Sequence, residues 1–317
     1  MFEIYISYKD NKEYLVSPNT NNYNLDIYTL MNNKKVISLQ GHKNLIRTIK
    51  YFINNKNKNE YLISACTNKI VIIWDITKDY NIKYNIDTKY KGNIYSCLLI
   101  FPNNMDDDFI ITSSYNRSEN NEDSATKIYS LKDCKFIKFI NNTNNNVIYY
   151  LLSWYNKKNN KYIIIQFSKN KIIINNLLED ELYSELSNEP EKNHYSGIIY
   201  CNDNNDYLIS SSENEYINIW DLFDQKIFKV INTNGYLKTY KLAHIIEWNS
   251  KYIIVADYEN KSFKIIDLDS NSINDINSDH KDELYCIKKV NHPIYGESLL
   301  SASKDNTIKL WIIKENQ

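Results

Sequence analysis

Short runs of apolar, β-branched and aromatic residues alternate with polar clusters along the whole chain. The runs include EYLISAC, IVIIWDI, IYSCLLIF, KYIIIQF and YINIWDL, and Asn, Asp, Lys and Ser fill the segments between them. Helical periodicity is almost absent, and closely spaced short runs of this kind are typical of strands. The pattern therefore predicts an all-β protein.

A longer repeat lies over the strand pattern. Three of the runs end in tryptophan, at Trp74, Trp220 and Trp311, and the first two continue with aspartate. Their separations fit a repeat of roughly 45 to 49 residues. In each case the preceding run contains a serine ten residues before the tryptophan, at Ser64, Ser210 and Ser301. Each repeat also has a histidine shortly before an earlier apolar run, at His42, His194 and His280.

This unit of histidine, serine, turn aspartate and tryptophan resembles the WD40-repeat β-propeller family. SASKDNTIKLW, residues 301–311, is the best match, and Gly41-His42 with Trp74-Asp75 is the second. The resemblance covers nearly the whole chain and implies one domain, a seven-bladed β-propeller with four-stranded antiparallel blades. The blades expected from the repeat are 2–40, 41–88, 89–142, 143–188, 189–234, 235–279 and 280–314. Three units lack the tryptophan, and Tyr129, Asn175 and Ile266 stand near its place.

In the family, the repeated polar residues form a hydrogen-bonded set inside one blade. The resemblance implies such sets here, with asparagine at the aspartate position in two blades and either Ser303 or Ser301 as the serine of the last blade. The expected members are His42, Ser64, Asn68, Trp74, His194, Ser212, Asn214, Trp220, His280, Ser301, Ser303, Asp305 and Trp311. Asparagine carries no charge, so we expect weaker networks where it replaces aspartate.

The two ends of the chain differ in their strand content. Residues 1–40 contain four candidate strands, FEIYISY, EYLVS, LDIYTL and KVISLQ, which complete a first blade. The last unit has three, ending with the strand of Trp311. We expect a three-stranded last blade whose edge, at residues 307–312, is open to strand addition by a partner.

Family members commonly bind peptides at one face of the propeller. By resemblance, that face is lined by the residue five past each histidine and by the residue before the turn aspartate. The expected partner-binding residues are Arg47, Thr67, Tyr95, Tyr149, Ile199, Glu213, Glu259, Tyr285 and Lys304. Tyr and Arg are frequent at interface hot spots, and the acidic members favour a peptide with a basic residue.

Composition narrows the possible partners. Lys+Arg number 38 and Asp+Glu 39, so no basic field favours nucleic acid or an anionic membrane. We expect no apolar segment that spans a bilayer and no signal peptide. The five cysteines show no paired spacing, which favours an intracellular location, in the cytoplasm or the nucleus. No metal-ligand spacing or phosphate-binding loop is present, so we expect no metal and no cofactor.

These observations favour a non-enzymatic scaffold, a monomeric propeller that recruits protein or peptide partners within a complex. One alternative is a structural subunit of a coat- or pore-type complex, completed by a partner strand. Another is a reader of modified peptides such as histone tails. The His–Ser–Asp trio also suggests a hydrolase triad, but the resemblance assigns it to internal hydrogen bonding.

Overall fold

The computed structural model describes twelve stretches of the chain, and all structural statements concern these. They are residues 3–7, 10–115, 125–140, 147–168, 171–179, 182–187, 194–201, 205–212, 216–233, 245–249, 251–257 and 260–312. Within them the chain forms 27 strands in seven antiparallel sheets and no helix. We number the sheets as blades 1 to 7 in chain order.

The first three blades have four strands each, paired in chain order. Blade 1 contains β1 (Glu3–Ile6), β2 (Glu13–Pro18), β3 (Leu25–Thr29) and β4 (Lys35–Leu39). Blade 2 contains β5 (Ile46–Ile53), β6 (Glu60–Cys66), β7 (Ile70–Asp75) and β8 (Asn81–Asp87). Blade 3 contains β9 (Asn93–Ile100), β10 (Phe109–Tyr115), β11 (Thr126–Ser130) and β12 (Phe136–Ile140).

Blades 4 to 6 repeat this order, and blade 7 has three described strands. Blade 4 contains β13 (Ile148–Asn156), β14 (Lys161–Ser168), β15 (Ile172–Asn176) and β16 (Leu182–Leu186). Blade 5 contains β17 (His194–Cys201), β18 (Asp206–Ser212), β19 (Tyr216–Asp221) and β20 (Lys226–Asn232). Blade 6 contains β21 (Ile245–Asn249), β22 (Tyr252–Asp257), β23 (Ser262–Asp267) and β24 (Ile273–Asn277). Blade 7 contains β25 (Leu284–His292), β26 (Gly296–Ser303) and β27 (Ile308–Ile312).

Seven sheets of this kind form a seven-bladed β-propeller, which confirms the predicted fold class. The four strands expected in residues 1–40 are present as blade 1. The three-stranded last blade is also confirmed for the part of the chain that the structure describes. The asparagine tract at 141–146 and the acidic stretch at 118–124 lie outside the described residues.

The chain divides into two compact units, Met1–Ser153 and Trp154–Gln317. In the first unit, one apolar cluster joins blades 1 and 2 around Trp74, and another joins blades 2 and 3 around Ile110. In the second unit, comparable clusters join blades 5 and 6 around Ile253, and blades 6 and 7 around Phe263. The core therefore lies between neighbouring sheets, because one twisted sheet cannot bury both of its faces alone. That the whole chain is a single domain stays a prediction.

Candidate functional site

The polar set of blade 7 is a continuous hydrogen-bonded network. The indole Nε1–H of Trp311 donates to Ser301 Oγ at 2.7 Å, and His280 Nε2 lies 2.8 Å from the same oxygen. The other ring nitrogen, Nδ1, lies 3.0 Å from Asp305 Oδ2. One buried hydroxyl thus serves both rings, and a carboxylate orients the imidazole.

Asp305 also accepts hydrogen bonds from main-chain N–H groups at the turn. The amides of Lys281 and Thr307 donate to it at 2.8 and 2.9 Å. Burial opposes ionisation, but bonds from the Thr307 hydroxyl, these amides and His280 prevail and hold the pKa of Asp305 well below its ordinary value. The carboxylate is therefore ionised in the folded protein.

Ser301, rather than Ser303, is the serine of this network. Successive side chains of a strand point to opposite faces, so position 302 cannot share the face, but 301 and 303 both can. Ser303 is the last residue of β26, and its hydroxyl donates to the Asp282 carbonyl at 2.9 Å and accepts from the Asp305 amide at 3.1 Å. Its hydroxyl therefore bonds main-chain groups on both sides of the hairpin and bonds neither the imidazole nor the indole ring.

The network of blade 2 contains a thiol that the repeat motif does not predict. Trp74 Nε1–H donates to Ser64 Oγ at 2.8 Å, and His42 Nε2 lies 2.7 Å from that oxygen. His42 Nδ1, however, lies 2.9 Å from Cys66 Sγ, and Cys66 in turn contacts Asn68 Oδ1. Asn68, at the expected aspartate position, therefore connects to the imidazole through the side chain of Cys66.

Burial also changes the ionisation of this set. It lowers the pKa of His42 to about 4 and raises the pKa of the Cys66 thiol. The imidazole is therefore neutral at physiological pH, and the thiol is protonated. Gly41 precedes the histidine for a steric reason, since a Cβ there would lie 2.9 Å from Trp74 Cη2.

In blade 5 the serine–tryptophan pair is present, but the histidine has a different place. Trp220 Nε1–H donates to Ser210 Oγ at 2.9 Å. His194 pairs with Ser212 at the start of β17, in the register that Ile46 and Leu284 have in blades 2 and 7. His194 therefore does not correspond to His42. The position in blade 5 that corresponds to His42 is 190, which lies outside the described residues.

The surroundings of His194 are those of a buried core residue. Among the described residues, its Nδ1 has no hydrogen-bond partner. Burial lowers the pKa of His194 to about 4. The side chain of Ser212 and the whole of Asn214 lie outside the described residues. The histidine-to-serine separation is 16 residues here, against 22 and 21 in blades 2 and 7, and this spacing was the available signal.

Two blades without tryptophan use other polar pairs at the same register. In blade 3, Tyr90 occupies the histidine position, and its hydroxyl lies 2.9 Å from Thr112 Oγ1, at the serine position. In blade 4, Gln166 Nε2–H donates to Asn175 Oδ1 at 2.7 Å, across the serine and tryptophan positions. The repeat spacing places Asn175 and Tyr129 near the tryptophan position. It does not indicate Gln166, Tyr90 or Thr112, because these replacements share no residue type with the motif.

Blade 6 buries a cation in its sheet. Lys264 is almost fully buried, and its Nζ contacts Asp275 Oδ2 closely and lies 3.9 Å from Asp257 Oδ2. Asp257 is itself fully buried, and burial raises its pKa. Asn260 donates to Asp257 from its amide and side chain. This is an internal charge cluster that the sequence pattern did not indicate.

The first strands carry β-bulges at a common register. The pairing of first and second strands skips Arg47 in blade 2, Tyr95 in blade 3 and Tyr285 in blade 7. In each case the bulge lies opposite the residues one and two beyond the serine position. Arg47 and Tyr285 are exposed, and Tyr95 is half-buried. A bulge turns a side chain out of the regular alternation, which is how these residues reach the end of the blade.

The fourth bulge corrects the prediction for blade 5. There the skipped residue is Tyr195, between His194 and Ser196. Ile199 instead pairs with Leu208 in the middle of the hairpin. It was placed by counting five residues from His194, and that count is wrong because His194 is not the equivalent of His42. The side chain of Tyr195 lies outside the described residues.

The remaining predicted partner-binding residues have varied surroundings. The amides of Thr67 and Lys304 donate to the carbonyls of Leu45 and Glu283, at equivalent points beyond the second strands. Thr67 is half-buried, and the Lys304 ammonium lies 3.2 Å from Glu283 Oε2. Tyr149 is the second residue of β13 and is half-buried. Glu213 and Glu259 lie outside the described residues.

The buried networks are unsuited to hydrolytic chemistry. Ser301 is fully buried, and its hydroxyl already contacts both Trp311 and His280, so a substrate cannot reach it. Among the described residues, no three His, Cys, Asp or Glu side chains form a group that could hold a metal ion. No helix in the described part of the chain is long and apolar enough to cross a membrane.

Comparison with known proteins points to one family. The family model described as WD domain, G-beta repeat (WD40) matches residues 33–75 and 272–311. These segments contain the blade 2 and blade 7 sets, from His42 to Trp74 and from His280 to Trp311. No curated protein matches the chain significantly. The two repeat matches and the seven antiparallel blades together show that this protein is a WD40-repeat β-propeller.

Proposed function

We propose that this protein is a non-enzymatic scaffold that binds extended peptide segments of protein partners at the blade ends that carry the bulge residues. WD40 propellers commonly mediate protein–protein interaction and are generally non-catalytic. The observation that carries the proposal is the recurrence of the first-strand bulge in blades 2, 3, 5 and 7. A bulge that only adjusted the geometry of its own sheet would not need to recur at the same register in four blades.

The residues at these bulges have the chemistry of a binding surface. Arg47 presents a planar guanidinium, whose five N–H donors suit carboxylates and main-chain carbonyls. Tyr95 and Tyr285 combine a large apolar ring with a polar tip, and such side chains are enriched at hot spots. In blade 7, Tyr285 lies near Lys304, whose ammonium is paired with Glu283. The blade 7 end therefore combines aromatic area with a fixed charge.

We also propose that the protein acts inside the cell. Its five cysteines are all free, and Cys201 is exposed. An exposed free thiol is typical of a reducing compartment, because an oxidising one would modify or pair it.

The experiment compares two double variants of the tagged full chain. Arg47→Ala with Tyr285→Ala removes bulge side chains from blades 2 and 7. Lys56→Ala with Tyr295→Ala is the matched control, because these residues lie at the turns of the same two hairpins, away from the bulges. Affinity purification with mass spectrometry identifies the partners captured by each protein.

We expect the bulge variant to capture at least ten-fold less of each partner protein that the wild type and the control both retain. Its melting temperature should be unchanged. Equal capture by all three proteins would show that the bulge ends are not the binding surface.

A further inference from the structure

The bulge ends of blades 2 and 3 carry a strong positive charge. Their described segments are residues 43–48 and 66–70 in blade 2 and residues 87–95 leading into blade 3. These segments contain one carboxylate, that of Asp87, which is paired with Lys89 at 2.5 Å. They contain five cationic side chains, those of Lys43, Arg47, Lys69, Lys89 and Lys91. Five cations and one carboxylate leave an excess of four positive charges.

Hydrogen bonds between main-chain groups join these segments into one surface. The amide of Thr67 donates to the Leu45 carbonyl at 3.0 Å, which holds the turn between β6 and β7 against the start of β5. The amide and hydroxyl of Thr88 donate to the Lys69 carbonyl at 3.2 and 2.8 Å. The second pair of bonds joins the same turn to the connection between blades 2 and 3. The cations on either side therefore belong to one continuous surface within the first compact unit.

Most of these cations are accessible to solvent. Lys43, Arg47 and Lys91 are exposed, and Lys69 is half-buried. Among the described residues, neither Lys43 nor Arg47 has a side-chain ion pair. Arg47 is one of only two arginines in a lysine-rich chain, the other being Arg117. A guanidinium can hold a carboxylate or a phosphate through two parallel hydrogen bonds, whereas an ammonium acts as a point charge.

The same end of blade 7 has a different charge. Its register-equivalent segments are residues 281–286 and 303–307. They contain two lysines and three carboxylates, which belong to Lys281, Lys304, Asp282, Glu283 and Asp305. Lys304 lies 3.2 Å from Glu283, and Asp305 belongs to the buried network of His280. The positive surface is therefore a property of blades 2 and 3 and does not follow from the repeat itself.

We propose that the bulge ends of blades 2 and 3 bind an acidic segment of a partner protein, whose negative charge is carried by carboxylates or by phosphates. The inference rests on the proposed function and names the chemistry of the partner. Charge complementarity favours such a segment, because Arg47 supplies paired hydrogen bonds and the lysines supply attraction over a wider area. The basic peptide expected from Glu213 and Glu259 stays a prediction for those positions, which lie outside the described residues.

The test measures the binding of defined peptides to the full chain by fluorescence polarisation. The probe is a fluorescein-labelled peptide in which glutamate alternates with serine, and its control has glutamine in place of each glutamate. A third peptide has alanine in place of each glutamate and phosphoserine in place of each serine, which distinguishes phosphates from carboxylates.

Two double variants of the protein are compared with the wild type. Lys43→Gln with Arg47→Gln removes two charges from the blade 2 end. Lys281→Gln with Lys304→Gln is the matched control, because it removes two charges from the equivalent segments of blade 7. The substituted side chains in blade 2 are exposed, so the melting temperature of that variant should stay unchanged.

We expect at least one of the two acidic peptides to bind about ten-fold more tightly than the glutamine control. Its binding should weaken as salt is added, because the contacts join accessible charges. The blade 2 variant should bind that peptide about ten-fold more weakly, and the blade 7 variant should bind it within about two-fold of the wild type. Arg47→Lys alone should lose less affinity than Arg47→Gln, because the charge is kept and only the paired hydrogen bonds are lost.

Three results would overturn the proposal. The first is equal affinity for the acidic peptides and the glutamine control. The second is tighter binding of a single-stranded oligonucleotide than of either acidic peptide, which would make nucleic acid the ligand. The third concerns the chain's own acidic stretch at 118–124, which has three carboxylates. If replacing these by amides tightened peptide binding about ten-fold, that stretch and not a partner would be the occupant.

Failure of this inference can be told from failure of the proposed function. If the acidic peptides do not bind but capture of native partners still depends on Arg47 and Tyr285, the bulge ends remain the binding surface and only the charge of the partner is wrong.

Discussion

Trp74 Nε1–H donates a hydrogen bond of 2.8 Å to Ser64 Oγ, across two neighbouring strands of blade 2. His42 Nε2 lies 2.7 Å from the same oxygen, so a single hydroxyl satisfies two buried rings. Since unpaired buried polar groups are destabilising, the serine carries more of the blade's stability than its size suggests. The same indole-to-hydroxyl bond recurs in blades 5 and 7.

Replacing Ser64 with alanine should lower the free energy of unfolding by about 2 to 4 kcal/mol, because two buried ring nitrogens lose their partner. Ser298→Ala is the matched control. Ser298 is also fully buried in a second strand, but among the described residues its hydroxyl makes one bond, to the Gly296 carbonyl. Its loss should be about 1 kcal/mol. Urea unfolding measures both, and equal losses would contradict the shared role of the Ser64 hydroxyl.

Stability should fall as the pH drops from 7 to 5. The folded pKa of His42 and of His194 is about 4, below the ordinary value of 6.5, so the unfolded chain binds more protons in this window. The stabilisation is complete above pH 6.5 and is lost progressively towards pH 4. Each histidine contributes about 2 kcal/mol between pH 7 and 5.

Urea unfolding at several pH values measures this dependence. His42→Gln should reduce the slope of stability against pH between 7 and 5, whatever it does to stability at pH 7. An unchanged slope would mean that His42 is not held neutral by burial.

Lys264→Met should destabilise the protein by about 3 to 5 kcal/mol at pH 7, because Asp257 stays buried without its cationic neighbour. Adding Asp257→Asn should recover part of the loss. Lys309→Met is the matched control, at the same register in blade 7 but only half-buried, and it should change stability by less than about 1 kcal/mol. Thermal and urea unfolding compare the three variants. A larger effect at Lys309 than at Lys264 would refute the role of burial.

Gly197→Ala should destabilise blade 5 by about 1 to 3 kcal/mol through overpacking. A Cβ at this position would lie 2.5 Å from the Ile209 carbonyl oxygen and 2.8 Å from the Phe167 ring. Gly41→Ala meets only the ends of side chains, at 2.9 Å and beyond, so its effect should be smaller. Differential scanning calorimetry would detect the order, and the reverse order would contradict this packing argument.

The sequence was sufficient for the features that depend on short-range spacing. In blades 2, 5 and 7 the second and third strands pair in the same register, so a separation of ten residues places serine close to tryptophan. The alternation of apolar and polar runs identified the strands, and the repeat predicted seven blades, the four strands of blade 1 and the short blade 7. These features depend on residues that are close together in the sequence, so the spacing of residues along the chain is enough to predict them.

Only the tertiary structure decided the features that depend on cross-strand pairing. His194 has the register of Ile46 and not of His42, so counting five residues from it put Ile199 where Tyr195 belongs. Cys66 lies between His42 and Asn68 in blade 2, and Tyr90 and Thr112 replace histidine and serine in blade 3. Both features appear only once the strands are in register. The exposure of Ile308 is of the same kind, because burial is settled by which strand lies beside a residue and the sequence alone does not specify that neighbour.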